Sequence, residues 1–158
     1  MKIRPITTED NATLAPILRS VLIEMGVPKK GTAYADPELD EMFETYQEPR
    51  AQYFVLEDNK QLLGGVGIAP LPQAHNTVCE LQKMYFLPQA RGKGWGTQMM
   101  TKCLQFAEEN LFEQCYIETM PNMKAAQKLY QRMGFGYLTA PLGKTGHFSC
   151  SVWMLKKL

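Results

Sequence analysis

The sequence predicts a single domain of the α/β (α+β) class, with a mixed central sheet that carries helices on both faces. Two observations lead to this prediction. Strand-like and helix-like segments alternate in the order β-α-α-β-β-β-α-β-α-β-β, which is typical of a layered sheet-and-helix architecture. Hydrophobic residues make up 45% and charged residues 21% of the 158 positions, and no Pro- or Gly-rich linker divides them, so residues 1–158 are expected to share one core.

The first half of the chain is predicted to form a strand, two helices and a hairpin. Residues 2–6 form the strand, and the first helix follows and ends at Gly26. Its apolar side chains recur at helical spacing: Leu14, Ile17, Leu18, Val21, Leu22 and Met25. A short second helix begins after Asp36-Pro37, and residues 52–57 and 62–68 pair around a turn at 58–60.

The second half is predicted to contain four further strand segments and two helices. Residues 78–86 form a strand that leads through a glycine-rich loop into a helix. The apolar stripe of that helix is assigned to the core: Met99, Met100, Cys103, Leu104, Ala107 and Leu111. Residues 115–119 form the next strand, and residues 122–133 a helix. Its inward positions are Ala126, Leu129, Tyr130 and Met133. Residues 135–138 and 148–155 are expected to pair as the final strands.

Composition excludes several classes of function. Seventeen Lys and Arg face 16 Asp and Glu, a formal charge of +1, so neither a nucleic acid nor a membrane surface is expected as a partner. No apolar run is long enough for a membrane span, and the first residues lack a secretory signal. The four cysteines have no C-x-x-C spacing, which predicts buried free thiols, a cytoplasmic protein and no metal. The oligomeric state is predicted to be a monomer or a homodimer joined through a strand edge.

The segment 82–97 predicts an anion-binding site. An apolar strand reaches Pro88, a basic glycine-rich loop follows, and a helix begins behind it. The first amides of a helix have no intrahelical acceptor, and the helix dipole places partial positive charge at the same end. Glycines allow close approach of a phosphate, and Arg91 and Lys93 add full charges.

The spacing of the glycines separates three kinds of phosphate loop. Gly143-Lys144-Thr145 resembles the end of a P-loop, but the glycine that a P-loop requires earlier is Leu138 here. A dinucleotide fingerprint would use Gly92 and Gly94, but its third glycine position is Thr97. The pattern Gln/Arg-x-x-Gly-x-Gly/Ala is matched at every position by residues 89–94.

This pattern resembles the acyl-CoA pyrophosphate loop of the GNAT superfamily of N-acetyltransferases. Residues 80–88 and 115–119 resemble the strands that flank that loop. Further along, residues follow the family's N-x-x-A-x-x-L-Y-x-x-x-G-F pattern with a one-residue offset: Asn122, Ala125, Ala126, Leu129, Tyr130, Gly134 and Phe135. The resemblance implies a GNAT-like mixed, mostly antiparallel sheet.

The resemblance also implies acetyl-CoA as co-substrate. The loop amides would bind its pyrophosphate, and the central strand would splay from its neighbour to expose backbone groups of Met84 and Phe86 to the pantetheine arm. Asn122 would cap its helix, bind the pantetheine, or do both. The expected cofactor-binding residues are Met84, Phe86, Gln89, Arg91, Gly92, Lys93, Gly94, Trp95, Gly96, Thr97 and Asn122.

For the reaction, the resemblance implies Tyr130 as the general acid that protonates the leaving thiolate. Glu80, on the central strand, is the first candidate for the base that deprotonates the amine. Glu118 and His147 are the alternatives, with His75 a weaker one, and loss of the proton to bulk water would make a base unnecessary.

The acceptor is expected to be a primary amine, either a small molecule or a peptide N-terminus. Residues 143–154 and 31–37 resemble a subgroup of bacterial GNAT proteins, some of them fused to MarR-type regulators, and predict an acceptor pocket built from both segments. Tyr34, Glu118 and His147 are its candidate residues. The predicted activity is direct acetyl transfer in a ternary complex. The alternatives are a non-catalytic acyl-CoA sensor and an interaction domain with a vestigial fold.

Overall fold

The computed structural model describes residues 1–158 and contains one seven-stranded sheet in the order β1-β2-β3-β4-β5-β7-β6. The strands are β1 (Lys2–Pro5), β2 (Gln52–Asp58), β3 (Gln61–Pro70), β4 (Val78–Phe86), β5 (Gln114–Thr119), β6 (Gly136–Tyr137) and β7 (Val152–Lys157). The helices are α1 (Asn11–Glu24), α2 (Met42–Thr45), α3 (Trp95–Glu109) and α4 (Lys124–Arg132). Only β4 and β5 pair in parallel, which confirms the mixed, mostly antiparallel sheet.

Helices cover both faces of this sheet, as predicted. Strand β2 shows why, because its side chains alternate between two apolar clusters. Tyr53 and Val55 pack in one cluster with Leu14 and Leu18 of α1. The neighbouring Phe54 belongs to the other cluster, which holds the apolar stripe of α3 and residues of α4.

Three details of the prediction are wrong. Leu111 is 80% exposed, because α3 ends at Glu109 and Leu111 turns the chain outward with φ +60°, leaving Phe112 to fill the core. The last strand begins at Val152, and Phe148 lies 82% exposed in the preceding loop. Helix α4 begins at Lys124, so Asn122 lies before the helix and does not cap it.

The structure also bears on the predicted cysteines and on the predicted second helix. Cys79, Cys103 and Cys115 are buried free thiols, whereas Cys150 is half-buried. The segment after Asp36 forms a 3-10 turn, Pro37–Asp40, before the short α2. None of the helices combines the length and the apolar character needed to cross a bilayer.

Candidate functional site

The site lies where strands β4 and β5 separate. Their parallel pairing ends at Glu80 and Tyr116, although β4 continues to Phe86 and β5 to Thr119. Beyond Glu80 the backbone of β4 therefore has no strand partner on the β5 side. This is the splay that the family resemblance implied, and it opens a gap in the middle of the sheet.

A bulge in β4 marks the start of this gap. The register against β3 passes from Gly67–Gln82 to Gly65–Tyr85, so Lys83 and Met84 together face one residue of β3. Lys83 adopts φ +49°, which is unusual for a residue with a side chain. The Tyr53 hydroxyl donates to the Lys83 carbonyl at 2.9 Å and holds the bulge in place.

The rings of Tyr46 and Tyr53 lie against glycines of β3. A methyl group at Gly65 would overlap the Tyr53 ring, and one at Gly67 would overlap the Tyr46 ring. Since both rings are buried, only glycine at these two positions leaves room for them. Strand β3 thus sets the position of the two hydroxyls without touching the gap itself.

The glycine-rich loop supplies unpaired hydrogen-bond donors. None of the backbone N–H groups of residues 92–97 donates to another protein group, so six successive amides are free at the start of α3. Gly92 and Gly94 have φ +71° and +81°, which L side chains rarely adopt. Free amides at a helix N-terminus form an anion-binding site.

The guanidinium of Arg91, one of the predicted cofactor-binding residues, is engaged by other protein groups. Its guanidinium donates to both carboxylate oxygens of Glu24 at 2.7 and 2.8 Å and to the Phe86 carbonyl at 2.7 Å, and its own amide donates to Pro88. Arg91 therefore fixes the loop against α1. Lys93 is exposed and makes no ion pair, which leaves it as the free cation of the loop.

Three cavities meet at the gap. A cofactor groove of about 300 Å³ runs from the glycine loop between β4 and α4. A small cavity of about 60 Å³ lies in the gap, and an acceptor pocket of about 410 Å³ opens on the other side. The groove and the small cavity share Met84, Tyr85, Met123, Ala126 and Tyr130. Lys83 lines both the small cavity and the acceptor pocket.

Tyr130 lies at the junction of the groove and the small cavity. Its side chain is 6% exposed, and burial raises the pKa of its phenol to about 12. The Tyr130 hydroxyl makes no hydrogen bond within the protein. Every fully enclosed polar atom of a side chain in this protein has a hydrogen-bond partner, so this hydroxyl is not fully enclosed. The hydroxyl therefore opens into the cavity as a protonated group.

Glu80 lies at the last paired position of β4 and lines the acceptor pocket. It is 4% exposed, and burial raises its pKa from 4.5 to about 7. The Gln82 amide donates to Oε2 at 2.6 Å, and the Tyr46 hydroxyl donates to Gln82 Oε1 at 2.8 Å. Oε1 has no protein partner, so, like the Tyr130 hydroxyl, it opens into its cavity. Gln82 thus holds Glu80 in place through Oε2, and Oε1 remains free to accept a hydrogen bond from a molecule in the pocket.

His147 reaches the same pocket through Asp36, a residue that the sequence analysis did not select. His147 Nε2 lies 3.1 Å from Asp36 Oδ2, and Lys83 Nζ lies 2.8 Å from the same oxygen. The hydrogen bond to Asp36 raises the pKa of His147. Although burial opposes it, the bond from His147 and the charge of Lys83 lower the pKa of Asp36 to about 2. The pairing joins the segments 31–37 and 143–154, as expected for the acceptor pocket.

Glu118 lines the small cavity, with both carboxylate oxygens occupied. The Tyr116 hydroxyl donates to Oε1 at 2.7 Å and the Thr145 hydroxyl to Oε2 at 2.6 Å. Donor atoms of Glu80, Glu118 and His147 lie within 4.8 Å of one another, a grouping that can hold a metal ion. In this structure the Glu118 oxygens bond to hydroxyls and His147 Nε2 bonds to Asp36, so two of the three groups already have protein partners.

The remaining predicted residues fall into two groups. Met84, Phe86 and Asn122 line the cofactor groove, and the Asn122 amide donates to the Met25 carbonyl at 3.0 Å, joining α4 to the end of α1. Tyr34 lines neither the small cavity nor the acceptor pocket, because its ring packs beside Lys29, whose Nζ lies 5.4 Å from the ring centre. Asp36 takes the place in the pocket that the sequence analysis expected for Tyr34.

Of the other loop residues, Gly92 and Gly96 line the groove, whereas Gln89 is exposed and Trp95 packs against the core. Gly94 and Thr97 contribute free amides beside them.

The sheet splits beside a glycine loop with free amides, and a buried phenol lies at the split, which is the arrangement expected of a transferase of the acyltransferase class. Residues 20–135 match the model of the Acetyltransferase (GNAT) family, and the chain belongs to that family. It is 42% identical over 156 residues to an uncharacterized N-acetyltransferase, YjgM, of Escherichia coli strain K12, an alignment that covers 98% of this chain and 93% of that protein. The chain is therefore an acetyltransferase.

Solved structures show the same fold. An acetyltransferase of the GNAT family from Staphylococcus aureus superposes with a TM-score of 0.84 at 17% identity, covering 99% of this chain and 98% of that one. A GNAT superfamily phosphinothricin acetyltransferase from Sinorhizobium meliloti was solved in complex with AcCoA. It superposes with a TM-score of 0.79 at 19% identity, covering 99% of this chain and 88% of that one.

Proposed function

We propose that this protein transfers an acetyl group from acetyl-CoA to a primary amine by direct attack in a ternary complex. One observation carries the proposal: the small cavity in the gap between β4 and β5 shares Met84, Tyr85 and Tyr130 with the cofactor groove and Lys83 with the acceptor pocket. Neighbouring cavities of this kind would allow a donor in the groove and an acceptor in the pocket at the same time. The S. meliloti relative, solved with AcCoA, supports the identity of the donor.

The cofactor would bind along the groove. The free amides of residues 92–97 would hold the pyrophosphate, with Lys93 adding a charge at the mouth. The pantetheine would extend between β4 and α4, past Met84, Phe86 and Asn122. The unpaired edge of β4 offers backbone groups to the amides of the pantetheine and to the thioester carbonyl.

The reaction then needs one base and one acid. The amine nitrogen attacks the thioester carbon, the N–C bond forms, and Glu80 Oε1 takes the proton from nitrogen. The C–S bond breaks as the tetrahedral intermediate collapses, and the Tyr130 hydroxyl gives its proton to the thiolate. A carboxylate with a pKa of about 7 is partly ionised at neutral pH and still basic enough for this step.

A covalent acetyl-cysteine route is disfavoured by the state of the nearest thiol. Cys150 lines the small cavity, but burial raises its pKa to about 12. The reactive form of cysteine is the thiolate, so Cys150 is a poor nucleophile at neutral pH. Glu118 and His147 shape the pocket around Glu80, and the acceptor is a small-molecule amine or a peptide N-terminus.

Two measurements test the proposal. Thermal stability alone and with acetyl-CoA, CoA, NAD or ATP should show stabilisation by the two CoA forms only; at 100 times the dissociation constant the gain is about 2.7 kcal/mol. Initial rates of thiol release with a panel of amines should give intersecting double-reciprocal lines. Parallel lines would indicate a covalent intermediate, and CoA binding without thiol release from any amine would indicate a sensor.

A further inference from the structure

The acceptor pocket has more acidic than basic groups. Four carboxylates line it: Asp36, Glu38, Glu48 and Glu80. Its basic groups are Lys83 and His147, and both lie against Asp36. The other three carboxylates have no cationic partner, so the pocket keeps an excess of negative charge.

These three carboxylates lie at two depths. Glu38 and Glu48 are exposed and make no side-chain hydrogen bond or ion pair, which places them at the mouth. Glu80 is 4% exposed and keeps its Oε1 open to the interior. The apolar part of the lining consists of small side chains that fit an alkyl chain: Pro49, Ala51, Ala69, Pro70 and Pro72.

On the basis of the proposed acetyl transfer, we infer that the acceptor is a linear diamine or polyamine. One primary amine would lie at Glu80 Oε1 for reaction, and a second, protonated nitrogen would lie between Glu38 and Glu48. An acceptor with a carboxylate at its far end is disfavoured, because the one lysine of the pocket is 9% exposed and already paired with Asp36.

Three acceptors of matched length test the inference: 1,5-diaminopentane, 1-aminopentane and 5-aminopentanoate. They differ only in whether the far end is positive, neutral or negative. Affinity for the protein–CoA complex is measured by calorimetry, and acetylation by thiol release with acetyl-CoA. We expect the diamine to bind and react with the highest kcat/KM, roughly tenfold above the monoamine, and the amino acid to be poorest.

Charge variants at the mouth provide the second arm. The double variant Glu38→Gln/Glu48→Gln should raise the dissociation constant and KM of the diamine about three- to tenfold, and leave those of the monoamine within about twofold. Glu41→Gln is the matched control, because Glu41 is exposed on the same segment, makes no ion pair and lines none of the three cavities.

The outcomes separate this inference from the proposed function. Equal affinity for the diamine and the monoamine, or a loss that is the same for both in the double variant, overturns the inference and leaves acetyl transfer intact. Absence of acetyl-CoA binding and of thiol release overturns the proposed function. Calorimetry of the diamine and the monoamine with the protein alone then still decides whether the pocket recognises a second positive charge.

Discussion

Replacing Glu80 by Gln should change how the stability of the protein depends on pH. Burial raises the pKa of Glu80 from 4.5 to about 7, so the folded protein binds this proton more tightly than the unfolded chain. The contribution to stability is complete below pH 4.5 and is lost as the pH rises through 7. Gln cannot ionise, but it keeps one oxygen to accept the bond from Gln82.

The size of the effect follows from the two pKa values. A difference of about 2.5 pH units corresponds to about 3 kcal/mol in total, of which about 2.5 kcal/mol develops between pH 5 and pH 8. The unfolding free energy of Glu80→Gln relative to the wild type should therefore increase by about 2 to 3 kcal/mol over this interval. Urea titrations at pH 5 and pH 8 measure it, since the difference exceeds the error of extrapolation.

Activity provides an independent measure on the same variant. If Glu80 is the base, kcat/KM of the wild type should rise with pH to a plateau and reach half of the plateau value near pH 7. In Glu80→Gln, kcat/KM should be lower by about 100-fold or more, and this rise with pH should be absent. Glu41→Gln should match the wild type in both assays. A pH-independent difference in unfolding free energy would refute the argument that Glu80 is buried with a raised pKa.

Three further substitutions test other parts of the site. Tyr130→Phe should lower kcat about 100-fold or more with acetyl-CoA affinity within about twofold, as measured by thiol release and calorimetry. Gly94→Ala should lower the stability measured by thermal denaturation by about 1 to 2 kcal/mol and weaken the binding of acetyl-CoA, because φ is +81° there although the space for a methyl group is open. Unchanged affinity for acetyl-CoA would show that the loop is not part of the cofactor site. Asp36→Asn should lower the pKa of His147, seen by NMR titration, and destabilise the fold by about 3 kcal/mol by leaving the buried Lys83 unpaired.

The sequence was sufficient for the parts of the site that depend on local order along the chain. A strand, a glycine loop and a helix in succession predict free amides near Gly92 and Gly94, and the structure has them. The alternation of elements likewise predicted the sheet. These features follow from residues close in sequence, whose conformation is set by the turn and the helix end themselves.

The pairing of distant charges could not be predicted in the same way. The sequence pattern marks Asp36 only as a residue before a helix, and it predicts that Arg91 flanks the bound phosphate. The structure places Asp36 against Lys83 and His147, and Arg91 against Glu24. One signal was present, because Lys83 is a charged residue inside an apolar strand. Its partner, however, depends on how two loops meet in three dimensions.

The glycines of β3 have a consequence for which substitutions the protein tolerates. Gly65 and Gly67 line none of the three cavities, but they make room for the rings of Tyr53 and Tyr46, whose hydroxyls hold the β4 bulge and the Gln82–Glu80 pair. A survey of all single substitutions would thus find intolerance at two glycines that line none of the three cavities. Any redesign of the pocket has to leave those two positions small.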